Sequence, residues 1–398
     1  MLRIHDTLGG DPISFNYMNK QNDLYELREF VAAHTALGID TESTHFNCYR
    51  PGWMLRSVQV GNADTAYVIP AGRKVLIGWL LGHRPDINWI GHNGTHDIRS
   101  IDQWLGYETG IVCAGETYLP AHYADSRKQD DGGIGHGLKE QAIRHVAYDA
   151  GKWEVELKKA FKQLRVALPG EVYKSGKRKG EPKSRAAHIS EGWSLIDPRH
   201  PAYIAYSAAD PLLTYRLWKC YQPVVRANYS LYQFDHAVQL ATDKLQRRAW
   251  KVDVRYTERL SAAFLRKADG FKAIAAEYGC QNINSGPQLA KVLLSLGAQL
   301  TVRTPTGQFK TDDKVLRGLA EVYGAEYSPV KEFIHAVLGA KQVLKRRENY
   351  TEAFIREMDS AGRVHPSINA IAARTTRMSI SEPPLQQLPT KDREEEAE

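Results

Sequence analysis

Residues 38–44 read GIDTEST, which places Asp40 and Glu42 two residues apart in a short apolar run with Leu37 and Ile39. Such a run is predicted to be a strand, along which successive side chains alternate faces, so both carboxylates project from one face. Side by side they repel unless a cation sits between them, and hard divalent cations take such oxygen ligands. An Asp-x-Glu alone is a weak signal, expected by chance about once in a chain this long. Its plain alternative is an exposed strand end, and the apolar setting argues against that.

Working outward, residues 35–70 carry further apolar runs bounded by turn residues, "MLRSVQVGN" and "TAYVIP". "KVLIGWLLGH" reads as a helix or a buried strand, and "INWIGHN" as a strand entering a loop. Helical periodicity follows at Asp97–Leu105, Gly137–Tyr148 and Pro201–Tyr221. Residues 151–200 read as an irregular basic insertion. Between Lys158 and His188 ten Lys or Arg face only Glu171 and Glu181, as a solvated loop or a phosphate-contacting one. Strands alternating with helices predict an α/β domain over 1–225. From 226 to 398 helices dominate. In "NSGPQLAKVLLSLG", Ser285, Pro287, Gln288 and Gly297 predict a capping box with a glycine stop. A helix starting at "SPVKEF" is expected to run to Gly362.

The formal net charge of +7 allows a polyanionic partner. Cys48, Cys113, Cys220 and Cys280 lie far apart without a C-x-x-C pair, which points away from disulfides and toward a reducing cytoplasm. No apolar run is long enough for a membrane helix, and Met1–Asn16 lacks a secretory signal pattern.

Two more stretches carry carboxylates. In "GHNGTHD", Asn93 and Asp97 are four apart where strand passes into helix, so Asn93 is a candidate helix cap and Asp97 suits the first turn. In "YSAADPLLTYRL", Tyr206 and Asp210 are i and i+4 on one helix face. Asp210 lies among Ala208, Ala209, Pro211, Leu212 and Leu213, where a carboxylate is costly unless paired or holding metal.

In order and spacing these motifs resemble the proofreading exonucleases of the DnaQ-like superfamily, whose motifs are Asp-x-Glu, Asn-x-x-x-Asp and Tyr-x-x-x-Asp. The resemblance covers roughly residues 30–222, and "GHGLKEQAIRHV" is similar to a helix found there between the second and third motifs. It implies a ribonuclease H-like domain, a mixed sheet flanked by helices. Asp40, Glu42, Asp97 and Asp210 would hold two Mg²⁺ or Mn²⁺ ions, about 4 Å apart, directly or through water. Tyr206 would orient the attacking water, since a phenol of pKa about 10 is a poor base at neutral pH. Asn93 would touch the terminal nucleotides. The implied reaction removes nucleoside monophosphates from a single-stranded 3′ end. His92 and His96 are also i and i+4, but no further Cys or His completes a zinc set.

The second half resembles the thumb of family A DNA polymerases through "LQRRAWKVD", "NINSGPQLAKVLLSLGAQLTVRTPTGQFKTDDKVL" and "LGAKQVLKRRENYTEAF". "GRVHPSINAIAARTTRMSISEPPLQQLP" is similar to the segment leading from thumb to palm. On that resemblance Arg377 and Gln386 contact primer–template DNA. Lys341 and Lys345, one helical turn apart, and Arg346 present charge either to a duplex backbone or to solvent. Three positions depart from the pattern: Thr376 replaces a glycine, while Pro384 and Gln387 replace asparagines. The palm and fingers motifs of that family are not found before Glu398. The expectation is therefore an exonuclease and thumb, as a split subunit or a truncation, with a separate polypeptide as candidate partner for synthesis. The alternatives are a DNA-binding assembly module without catalysis and a ribonuclease D-like RNA processor.

Overall fold

The structure, a computed structural model, describes residues 1–20, 22–82, 86–176, 178–323 and 328–388. The acidic stretch at 391–398 lies outside the described residues. The chain forms two compact units, Met1–Arg248 with Ser367–Ser379, and Ala249–Pro366 with Ile380–Glu398.

The first unit is built on one mixed sheet. Its strands are β1 (Leu2–Leu8), β2 (Asp11–Tyr17), β3 (Ala36–Ser43), β4 (Leu55–Gly61), β5 (Thr65–Pro70), β6 (Asn88–Gly91) and β7 (Gly115–Glu116), in the order β1-β2-β5-β4-β3-β6-β7. β3 runs antiparallel to β4 and parallel to β6. The β1–β2 hairpin was not anticipated. Its signal is the Gly9-Gly10 turn, at φ +60° and +94°, a conformation that glycine adopts without steric cost.

Alternation along the strands divides the interior. Leu37, Ile39, Val58, Val60 and Ile69 pack on one face under α1 (Asp23–Ala32), α2 (Lys74–Gly82) and α3 (Thr95–Leu105). Leu8, Phe15, Ala66 and Val68 pack on the other under α5 (Leu138–His145), α6 (Lys152–Gln163) and α8 (Pro201–Ala227). The same unit holds α4 (Tyr118–Ala124), α7 (Ile189–Leu195) and α9 (Tyr229–Arg248). "KVLIGWLLGH" thus resolves as a helix.

Two expectations need correction. The described residues of 151–200 form regular elements rather than an irregular insertion: after α6 come the antiparallel strands β8 (Arg165–Val172) and β9 (Pro182–Ala186), then α7. The division between units falls after Arg248, not at 225/226, which lies in the last turn of α8. The reason is electrostatic. Buried Asp243 of α9 pairs with Arg99 of α3 and with Arg247, and Arg247 reaches Asp102 of α3 at 2.8 Å. Removing one partner would strand a buried charge, so α9 stays with the sheet.

The second unit is mainly helical, with α10 (Val254–Glu277), α11 (Gly286–Ser295), α12 (Asp313–Val322), α13 (Pro329–Arg347) and α14 (Ala353–Glu357), and a two-stranded pair, β10 (Trp250–Lys251) with β11 (Arg363–Val364). Phe333, Ile334, Val337 and Ala340 of α13 pack against Leu289 and Leu293 of α11, Leu316 of α12 and Ala275 of α10. The predicted cap is half present. Ser285 accepts from the Gln288 N–H at 3.4 Å, but the Gln288 side chain accepts from Gln281 and Asn282 instead of returning to Ser285. Gly297 follows the helix at φ +82°. The helix expected to reach Gly362 ends earlier, with α13 passing through a π-turn at Glu348–Glu352 into α14. Among the described residues no helix is long and apolar enough to cross a membrane. All four cysteines are free.

Candidate metal centre

Gly38, Asp40 and Glu42 lie on the face of β3 that meets α8, while Leu37 and Ile39 are buried on the opposite face. The approach of α8 is set by Gly38. A Cβ there would lie 2.0 Å from the Pro211 carbonyl oxygen, so only glycine admits the helix backbone at this distance. Ala208 and Ala209, both fully buried, bring little side-chain bulk to the neighbouring turn. Asp210 is thereby held over the strand. Ligand oxygens of Asp40, Glu42 and Asp210 all lie within 4.8 Å of one another. Asp97, in the first turn of α3, does not join that set. It accepts a hydrogen bond at 2.6 Å from the hydroxyl of Thr41, the residue between Asp40 and Glu42.

The grouping is electrostatically costly. Burial pushes the Asp40 carboxyl up to about 7, against the pull of the Lys139 ammonium. Burial, then the charges of Asp40 and Asp97, holds Glu42 well above the ordinary carboxylate range. Asp97 is raised likewise, by burial and then by Asp40 and Glu116. Carboxylates in this state favour an added cation. The donors are oxygens throughout, which suits Mg²⁺ or Mn²⁺ rather than zinc. Asp40, Glu42 and Asp210 are the residues that fit such an ion, with Asp97 placed to act through Thr41 or through water.

Tyr206 stands one turn before Asp210 on α8. Burial, then the charges of Glu42 and Asp40, keeps its phenol well above its ordinary value, so it stays protonated at neutral pH. Lys139 was not singled out in the sequence, although its helix was. Its ammonium pairs with Asp210 and sits 4.5 Å from the Tyr206 ring centroid. Burial pulls it down to about 8, against the opposing effect of Asp40 and Glu42. The only sequence signal for it was the position of Lys139 at the start of α5.

Asn93 does not cap α3: it is exposed at φ +62°, and the helix has no side-chain cap. Its backbone N–H and that of Gly94 donate to Glu116, at 2.7 and 2.9 Å, as does the Tyr118 N–H at 2.9 Å. One buried glutamate therefore satisfies the starts of both α3 and α4. It escaped the sequence reading because no local pattern links 116 to 93. His92 contacts Thr117 at 2.8 Å and His96 donates to the Phe46 carbonyl at 2.9 Å; burial lowers both to about 4. Among the described residues neither joins a metal-ligand group of three.

In the second unit Lys341 and Lys345 lie four apart on α13, the first half-buried and the second exposed, with Arg346 half-buried beside them. Gln386 accepts from the Ile380 N–H at 3.1 Å. Arg377, in the first unit, is exposed. Before it Thr376 adopts φ +58°. The chain keeps the left-handed backbone that a glycine would suit, with a β-branched residue in it.

Residues 254–398 match the family model of DNA polymerase family A. The chain is 30% identical over 405 residues to the DNA polymerase of Mycobacterium phage L5 and 27% identical over 400 residues to that of Mycobacterium phage D29. Each alignment takes in 98% of this chain and 62% of the relative, so the chain spans less than two thirds of those polymerases. The fold is similar to the POL domain of Pol1 from M. smegmatis, solved in complex with DNA primer-template and dNTP. The TM-score is 0.58 at 16% identity, over 95% of this chain and 56% of that one. Residues 254–398 are thus similar to DNA polymerase family A, and similarity to phage DNA polymerases runs along nearly all of the chain.

Proposed function

We propose that the first unit is a ribonuclease H-like, divalent-metal-dependent 3′–5′ exonuclease acting on DNA, and that it serves proofreading within a family A replication polymerase. The observation that supports this most is the convergence of Asp40, Glu42 and Asp210 within 4.8 Å at a buried site beside Tyr206. Bound Mg²⁺ or Mn²⁺, two ions in this reading, would supply an activated water and steady the leaving 3′ oxygen. The residues of the chain do the rest. Asp40, Glu42 and Asp210 fix the cation position, and Asp97 braces Thr41 between two of them. Tyr206 keeps its proton and orients the water without removing a proton from it. Asn93, which is exposed, meets the last nucleotides in this reading. The water oxygen bonds to phosphorus as the P–O3′ bond breaks, the water's proton passes to solvent and the 3′ oxygen takes one up, and the terminal nucleotide leaves as a 5′-monophosphate.

The second unit, in this proposal, is thumb-like and touches primer–template DNA through Lys341, Lys345 and Arg346 on α13 and through Gln386. Arg377, on the segment that returns to the first unit, is the remaining contact. No polymerase step is assigned to these residues. Such synthesis belongs to palm and fingers elements, on this or a separate polypeptide.

Digestion of 5′-labelled single-stranded DNA with Mg²⁺ or Mn²⁺ tests the reading. Asp40→Ala and Asp210→Ala are each expected to lower the rate about 10²–10³-fold, the scale set by losing electrostatic stabilisation of a transition state. Wild-type protein that digests nothing under these conditions contradicts it.

Lys139 supports a second reading. Its ammonium already offsets part of the carboxylate charge, so the cluster could be an ion network in a DNA-binding assembly module. Calorimetric Mn²⁺ titration separates the two. Binding to wild type, and tighter binding to Lys139→Met, supports the metal site. No binding to either supports the ion network.

A further inference from the structure

We propose that the β8–β9 hairpin, with the end of α6, is a phosphate-binding arm for the single-stranded DNA whose 3′ end enters the Asp40–Glu42–Asp210 centre. This rests on the exonuclease reading above. The hairpin has little of its own to bury: no residue of either strand is buried and Val172 is 48% exposed. Two strands alone are marginal in water, so its root must hold it. Arg185 forks onto Glu191 of α7 with contacts of 2.7 and 2.6 Å, and the Ala187 N–H donates to the Leu164 carbonyl at 3.0 Å. At Gly192 an added Cβ would lie 2.4 Å from the Phe161 ring, so α7 is pressed onto α6. Arg56 of β4 donates to the Ser194 and Ile196 carbonyls.

That root reaches the candidate centre. Trp193 of α7 packs edge-on against Phe161 at 5.2 Å and lies 5.6 Å from the Tyr206 ring. The arm therefore leaves the fold one aromatic contact from the tyrosine proposed to orient the water.

Part of its charge is left unpaired. Lys158, Lys159, Arg178, Lys183 and Arg185 are paired with carboxylates. Lys162, Arg165, Lys174 and Lys179 are exposed and enter no ion pair among the described residues. Near the turn Arg178 lies 4.4 Å over the Tyr173 ring. Cations along a ribbon with an aromatic–guanidinium platform suit a flexible polyanion that also carries stacking bases, which is single-stranded DNA.

The test is binding of a fluorescent oligothymidylate across a salt series in EDTA, where cleavage plays no part. A variant with Lys162, Arg165, Lys174 and Lys179 changed to Gln is compared with a charge-matched control, Lys20, Arg144, Lys219 and Arg226 changed to Gln. All eight positions are exposed, and melting curves verify folding. Each phosphate contact in a single strand contributes about 0.7 to the slope of log K against log salt. The arm variant is expected to be shallower by about 3, with affinity at least tenfold weaker at low salt, while the control changes little. An unchanged slope, or equal loss in both variants, overturns the proposal. Wild-type digestion with Mn²⁺, measured separately, judges the exonuclease reading, so the two can fail independently.

Discussion

Gly38→Ala probes how the strand and helix bring the carboxylates together. The added methyl would lie 2.0 Å from the Pro211 oxygen, 2.8 Å from its carbonyl carbon and 3.1 Å from its Cα. All three are backbone atoms of a buried helix, so no rotamer change relieves the clash. Restoring a contact of about 3.5 Å requires α8 to withdraw by about 1.5 Å. Asp210, one residue from Pro211, moves with it, away from Asp40 and Glu42. Overpacking of this kind costs about 1–3 kcal/mol. A misplacement of about 1 Å at a reacting centre costs about 10²-fold in rate. The assay pairs thermal unfolding with initial rates of Mn²⁺-dependent digestion. Gly270→Ala is the control, because a Cβ at that α10 position meets nothing within 4 Å. It is expected to be neutral or stabilising by up to about 1 kcal/mol. A Gly38→Ala protein with wild-type melting and a rate within about twofold would refute the packing argument.

Two further outcomes follow from the same physics. In EDTA the Asp40 carboxyl, held at about 7 against an ordinary 3.8, keeps its proton in the folded protein longer than in the unfolded chain. Wild type therefore loses stability as pH rises from about 4 to 7. Asp40→Asn is expected to be more stable at pH 8, by up to about 4 kcal/mol from three units at about 1.4 each, and the gap should close toward pH 4. A gap constant with pH contradicts the cause assigned. Thr376→Gly is expected to stabilise by about 1 kcal/mol, by relieving a left-handed β-branched residue. A lower melting temperature would show that the Thr376 side chain contributes more than its backbone costs.

What the sequence disclosed follows what is local. Asp40 with Glu42, and Tyr206 with Asp210, are related by strand and helix periodicity, so their shared faces could be read before any fold was known. Their mutual approach was implied only by the resemblance of the motifs, because no spacing shows that Gly38 meets Pro211 where β3 packs on α8. Lys139 and Glu116 were missed for the same reason: each acts on partners far along the chain. The place of α9 was missed because the Arg99–Asp243–Arg247–Asp102 network joins residues whose spacing carries no pattern. The basic stretch after Lys158 was read as irregular because its strands are not apolar and alternate only weakly.

The most direct measurement takes one substrate labelled at the 5′ end and an identical one labelled at the 3′ end. Each is single-stranded DNA incubated with wild-type protein and Mn²⁺, and the products are resolved over time. The account predicts a descending ladder from the 5′ label, with the 3′ label released at once as a nucleoside 5′-monophosphate, and no reaction in EDTA. Internal cuts, release from the 5′ end, or metal-independent digestion would contradict it.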